Sequence, residues 1–259
     1  MGEPLILTEK SGHVLIVTIN RPDAMNAANG AVHNAMHEVI GGFQNDKDLW
    51  TAIITGAGDR AFCAGADLKE LASGAKPVLP PTGFAGMTSR FDLEKPIIAA
   101  VNGLAMGGGF ELALACDIIV AAENAKFALP EVRVGLVPLA GGLQRLPRAM
   151  GLAPAMALAL TGRRLSAQEA LEARIVAEVA PQGKAVEAAK SWAEEINSNG
   201  PLAVRAVKRA MLDCMDMSLP EAIVGQFGMP VIDAARKSAD AREGPRAFAE
   251  KRSPRWRAE

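Results

Sequence analysis

AAVNGLAMGGGFELALACD, residues 99–117, is the stretch from which the rest of the chain can be read. The run 96–101 is apolar and suits a buried strand, and the run 108–115 has the composition of a helix. Gly107, Gly108 and Gly109 stand at the junction between them. There the first N–H groups of a helix lack partners within it and lie at the positive end of its dipole. With no Cβ in the way, a ligand atom can reach that backbone. The corner therefore suits a developing negative charge, although a glycine triplet alone equally suits close packing of helix on strand. Glu111 falls one turn further on, between Phe110 and the apolar run 112–115. A carboxylate is costly to bury in such surroundings unless it is paired or has a chemical role.

Outward from this corner the chain keeps a β/α rhythm. Residues 14–19 and 52–55 are β-branched runs bounded by turn residues, and 31–43 between them has helical character. Strand, helix, strand in this order predicts a right-handed crossover and an α/β fold with a buried parallel sheet. Residues 96–101 and 118–121 continue the pattern to about Val137. Beyond it helical signals dominate. Ser166 with Glu169, and Ser218 with Glu221, spell two capping boxes. Ala185, Ala188, Ala189, Trp192, Ala193 and Ile196 mark one face of an amphipathic helix. A second glycine-bearing segment, CAGADLK at 63–69, also follows a strand-like run. Residues 71–90 are rich in Gly, Pro, Ala and Ser and lack periodicity, which predicts a mobile surface loop beside that segment.

Bulk properties exclude several classes of function. The 259 residues, 49% hydrophobic and 22% charged, fit a globular chain with one principal domain. A net charge of −1 offers no field for nucleic acid or an anionic membrane. Polar residues interrupt the most apolar stretch, 96–122, so it does not predict a membrane span. Cys63, Cys116 and Cys214 form neither a disulfide framework nor a metal knuckle, and no secretory signal opens the chain, so a soluble cytoplasmic protein is expected. Neither glycine segment reads as a nucleotide phosphate loop, and no G-x-S-x-G elbow is present. His33 and His37 have the i, i+4 spacing of metal ligands, but without a flanking glutamate or a third ligand they read as a surface pair, and no metal is expected.

Taken together, AFCAGADLKEL at 61–71, AAVNGLAMGGGFELALACD at 99–117 and KFALPEVRVGLVP at 126–138 resemble the crotonase, or enoyl-CoA hydratase, superfamily. NRPDAMNA at 20–27 and FAEKRSPRW at 248–256 extend the resemblance over nearly the whole chain. It implies an α/β core of repeated ββα units over residues 1–199, followed by a C-terminal helical region over 200–259 that assembles trimers or hexamers. It implies an acyl-CoA substrate, with coenzyme A as part of the substrate rather than a resident cofactor. By the same resemblance the backbone amides of Ala66 and Gly108 form an oxyanion hole, and Glu111 and Glu131 are the acid–base pair. Taken without the family, Glu131 reads as an exposed loop carboxylate. Met25, Ala64, Ala66, Asp67, Leu68, Lys69 and Gly108 are expected at coenzyme A, with Lys251 from a tail that carries eight Lys or Arg against four Asp or Glu over 236–259.

The implied reaction is addition of water to a 2-enoyl-CoA, a step of fatty-acid β-oxidation. Isomerisation of the alkene, dehydration of another acyl-CoA and acyl-CoA binding without catalysis are the alternatives. The family pattern has glycine where Leu139 stands and threonine where Leu143 stands. Leu139 keeps the N–H that helps hold the catalytic water, but its bulk is expected to narrow the acyl pocket or displace that water.

Overall fold

A computed structural model describes residues 3–72 and 78–259 of the chain. It opens with an antiparallel hairpin, β1 (Ile6–Ser11) and β2 (Val14–Ile19), and continues into α1 (Gly30–Asn45), whose first turn is capped by the Asn29 side chain. β3 (Thr51–Gly56), β4 (Ala61–Cys63) and α2 (Leu68–Ala72) form one ββα unit. β5 (Ile97–Val101), β6 (Leu104–Met106) and α3 (Gly108–Leu114) form the next. β7 (Ile118–Ala122) and β8 (Lys126–Ala128) begin a third, closed by a 3₁₀ turn at Glu131–Val134. After them come α4 (Gly142–Met150), α5 (Leu152–Thr161), β9 (Leu165–Ser166), α6 (Ala167–Glu172) and β10 (Glu178–Ala180). The remainder is helical: α7 (Ala185–Asn197), α8 (Pro201–Asp213), α9 (Leu219–Gly225), α10 (Pro230–Lys237) and α11 (Asp240–Ala249). Among the described residues, no helix is long and apolar enough to cross a membrane.

Each unit sends its first strand to one sheet and its second to another. The larger sheet runs β1-β2-β3-β5-β7-β10 and is parallel except at β1–β2. The smaller runs β4-β6-β8-β9 and is parallel except at β8–β9. The expected α/β class with a parallel sheet is thus observed. Only the longer strands are legible in the sequence. β4, β6 and β8 have three residues each, too few to show a period, and β1 is an edge strand whose side chains lie mostly in solvent.

Strand alternation divides the core in two. Leu15, Val17, Ile19, Ala52 and Ile54 face the interior shared with α1, α3 and the smaller sheet, where Phe62, Phe110 and Phe127 are fully buried. Val14, Ile16, Ile53 and Ile98 face the other way and are covered by Ala185, Ala189 and Ala193 of α7. These alanines belong to the stripe read from the sequence, and their small side chains let the helix lie close to the sheet. Both predicted capping boxes form, at Ser166–Glu169 and Ser218–Glu221.

The expected loop at 71–90 requires correction. Residues 73–77 lie outside the described residues. Of the remainder, Phe84, Ala85, Met87 and Thr88 are buried against α1 and α3 rather than exposed at the surface. The same packing overturns the reading of His33 as half of a surface pair, since it is only 1% exposed.

Candidate active site

β4, β6 and β8 lie side by side in parallel, with Ala61 opposite Leu104 and Met106 opposite Ala128. The segments that leave their C-terminal ends, 64–67, 107–108 and 129–131, therefore converge, and ligands in α/β sheets collect at such ends. Gly65 brings the first segment against the second: at its φ of +95° a Cβ would lie 2.8 Å from the Met106 carbonyl oxygen and 3.4 Å from the Gly108 nitrogen. Ala66 pairs with Ala28 as a parallel bridge, in which the Ala28 N–H donates to the Gly65 carbonyl at 2.8 Å and the Asp67 N–H to the Ala28 carbonyl at 3.0 Å. In this register the N–H of Ala66 points away from Ala28. Among the described residues it has no backbone acceptor, and neither has the N–H of Gly108 in the first turn of α3. The two amides expected to form an oxyanion hole are thus brought together, with no acceptor among the described residues.

Glu111 is 2% exposed, one turn beyond Gly108, and its Oε1 accepts the Gly142 N–H at 2.8 Å. A Cβ on Gly142 would lie 2.9 Å from Glu111 Cγ, so only glycine lets that turn close on the carboxylate. Burial raises the pKa of Glu111, and the nearby charge of Glu131 raises it further, against the opposing pull of the Gly142 and Ala140 backbone and of Arg145. Glu131 opens the 3₁₀ turn after β8 and aims its carboxylate at the glycine corner, where a Cβ on Gly107 would lie 2.6 Å from Oε1. Its Oε2 is buried with no partner among the described residues, and burial raises its pKa as well. The reading of Glu131 as an exposed loop carboxylate, made without the family, is therefore corrected. Two carboxyls with raised pKa values beside two open amides can move protons next to an oxyanion. Cys63 does not compete as a nucleophile, because burial pushes its thiol up to about 11.

The enoyl-CoA hydratase/isomerase family pattern matches this chain over residues 9–259. The chain belongs to that family. The crotonase superfamily expected from the three glycine- and glutamate-bearing motifs is therefore the right one. A carnitinyl-CoA dehydratase of Salmonella typhi is 46% identical over 261 residues, covering 99% of each chain. Among solved structures, enoyl-CoA hydratase EchA1 from Mycobacterium marinum is 46% identical with a TM-score of 0.94, covering 99% of this chain and 100% of its own. Carnitinyl-CoA hydratase from Mycobacterium avium is 43% identical with a TM-score of 0.80, covering 100% of both.

In this member of the enoyl-CoA hydratase/isomerase family, the positions expected at coenzyme A divide. Met25 and Ala64 are brought together, the Ala64 N–H donating to the Met25 carbonyl at 3.1 Å, so that amide is already engaged. The Asp67 carboxylate is held by Arg21 at 2.9 Å and also accepts the Lys69 N–H, and the Arg21 hydrogen bond holds its pKa below the usual carboxylate range. Asp67 thus braces the Ala66 loop. Lys69 is exposed at the start of α2, Leu68 is placed there by its backbone, and the Leu68 side chain lies outside the described residues. Lys251 stands beyond α11, its N–H donating to the Phe248 carbonyl at 3.1 Å.

Sequence reasoning missed Arg145 and Phe84. Arg145 lies three residues after Gly142 and donates to the Thr88 carbonyl at 2.8 Å, placing a cation near Glu111. The Phe84 ring rests against Gly108, where a Cβ would meet its Cζ at 2.6 Å. Neither contact leaves a local signal, because each joins segments far apart in the chain.

Proposed function

We propose that this chain adds water reversibly across the 2,3-double bond of an acyl-CoA thioester, the reverse reaction being loss of water from a 3-hydroxyacyl-CoA. The supporting observation is the pairing of two open amides with two unlike carboxyls: Glu111 tethered by Gly142, Glu131 with a buried oxygen that has no partner among the described residues. The thioester oxygen accepts from the N–H groups of Ala66 and Gly108, each worth about 2.7–4 kcal/mol as charge develops there. Water held between the carboxyls bonds through its oxygen to C3, and its proton passes to Glu111. The alkene electron pair moves to C2 and the thioester oxygen, and protonated Glu131 delivers a proton to C2. H and OH are thereby added, and both carboxyls return to their starting forms once the proton gained by Glu111 is passed on through water and Glu131 is reprotonated. Burial raises the pKa of Glu131, which favours the protonated form this step uses.

The names of the relatives favour a second reading, in which the acyl group carries a quaternary ammonium. Such a cation needs aromatic faces or a counter-charge. The turn that holds Glu111 offers Leu139, 85% exposed, Leu143, 38% exposed, and the cation of Arg145. We therefore place a neutral acyl group ahead of a cationic one. The test is loss of the alkene absorbance with but-2-enoyl-CoA and with its 4-trimethylammonium analogue, using wild type, Glu111→Gln and Glu131→Gln. Hydration of the neutral substrate, lost in both variants, supports the reading. Turnover of the cationic substrate alone supports the second. A shifted alkene without hydroxyacyl product indicates isomerisation, and binding without turnover indicates a non-catalytic protein.

A further inference from the structure

We infer that His33 is a positioning residue for the oxyanion hole, acting through Phe84 on the Gly108 amide. This rests on the acyl-CoA reading above. His33 lies on α1, far in sequence from either glycine segment, and is 1% exposed. Its Nδ1 accepts the Ala85 N–H at 2.9 Å, so the neutral ring carries its proton on Nε2. Its ring meets that of Phe84 edge-on, with centroids 4.8 Å apart and planes at 62°.

The turn it holds does not rest easily. Ala85 has φ of +49°, a left-handed conformation unfavourable for a residue with a Cβ, and such a residue persists only where its surroundings enforce it. Gly86, φ +59°, packs so tightly on α1 that a Cβ there would run into the His37 backbone. One turn after His33, His37 pins the other end, its Nδ1 lying 2.9 Å from Thr82 Oγ1. The two histidines whose spacing suggests a metal site thus secure one strained turn to one helix. That turn delivers the Phe84 ring to Gly108, against which its Cζ, Cε1 and Cε2 all pack. Shielded from water on that side, the amide meets a developing oxyanion in a low dielectric, where a donor is worth most.

Leucine at 33 would fill the space but leave the Ala85 N–H buried without an acceptor, whereas asparagine would offer an oxygen near the Nδ1 position. The experiment measures kcat, KM and melting temperature for hydration of but-2-enoyl-CoA by wild type, His33→Asn, His33→Leu and Phe84→Leu. It also measures binding of a 3-ketoacyl-CoA through the absorbance of its enolate, which reports the oxyanion site without turnover. His33→Leu and Phe84→Leu are expected to lower kcat by about tenfold or more, with KM changed less than about threefold, and to weaken the bound enolate signal. His33→Asn is expected to restore most of both. Equal impairment of His33→Asn and His33→Leu, wild-type kcat in folded His33→Leu, or losses that follow the folded fraction would overturn this inference while leaving the hydratase reading intact. If His33→Leu does not fold, His33→Asn and Phe84→Leu decide. A wild-type protein that neither hydrates the alkene nor binds the enolate overturns the hydratase reading and this inference with it.

Discussion

Glu111 and Glu131 differ in how far their proposed roles are visible before folding. A glutamate set among Phe110 and Leu112–Ala115 announces itself, because an apolar run does not admit a charge without reason. Glu131 carries no such mark, since its burial depends on the approach of Gly107 from another unit. Removing either carboxylate while keeping its shape should lower kcat by roughly 10²–10⁴. Glutamine at 111 can still accept from Gly142, so the loss should appear in turnover rather than in folding, as circular dichroism alongside kinetics will show. The pH behaviour follows from the raised pKa values. A folded-state value above the ordinary 4.5 means that the neutral carboxyl favours the fold at low pH, and that this contribution is lost as pH rises from 4.5 through the raised value. At about pH 7.5 wild type therefore bears the cost of buried charge, and Glu131→Gln should melt higher than wild type there. The difference should vanish below about pH 4, where both states are protonated. A Glu131→Gln protein no more stable than wild type at the higher pH would contradict the assigned burial. Gly107→Ala should lower activity as Glu131→Gln does, because its Cβ would lie 2.6 Å from Oε1 and push the carboxylate aside.

The long strands β2, β3, β5 and β7 and the helices α1, α3 and α7 are legible in the sequence because each has enough residues to display a period or a β-branched run. β4, β6 and β8 are not, and these three carry the site: each ends one residue or a few before an amide or a carboxylate that faces it. Their three-residue lengths are stabilised by pairing with one another rather than by local preference. The loop after β4 has a brace of its own in Arg21, just beyond β2, whose guanidinium reaches both the Ala27 carbonyl and Asp67. Arg21→Met should leave Asp67 with no cationic partner and cost about 1.5–3 kcal/mol, measurable by urea unfolding. Because Asp67 adjoins Ala66, kcat should fall with it. If stability drops and kcat per folded molecule does not, the brace serves the fold alone.

Beyond the single chain, α5 and the helices after Gly200 leave many large apolar side chains in solvent, among them Leu152, Met156 and Leu160 on α5 and Val207, Met211 and Leu212 on α8. Exposed apolar surface on this scale is what an interface between copies would cover. The expectation is self-association into a trimer or a pair of trimers, to be read by sedimentation velocity; a monomer at micromolar concentration would count against it. Composition and pattern alone determine that the chain is an α/β protein, where its main strands and helices lie, and that a glycine corner precedes a buried glutamate, because these follow from short-range periodicity and the cost of burying charge. Only tertiary structure decides that the ends of β4, β6 and β8 meet, that Glu131 turns inward against Gly107, and that His33 is sealed beneath the 82–86 turn. Each of these depends on contacts between residues tens of positions apart, and no local preference encodes which distant backbone will arrive to cover a side chain.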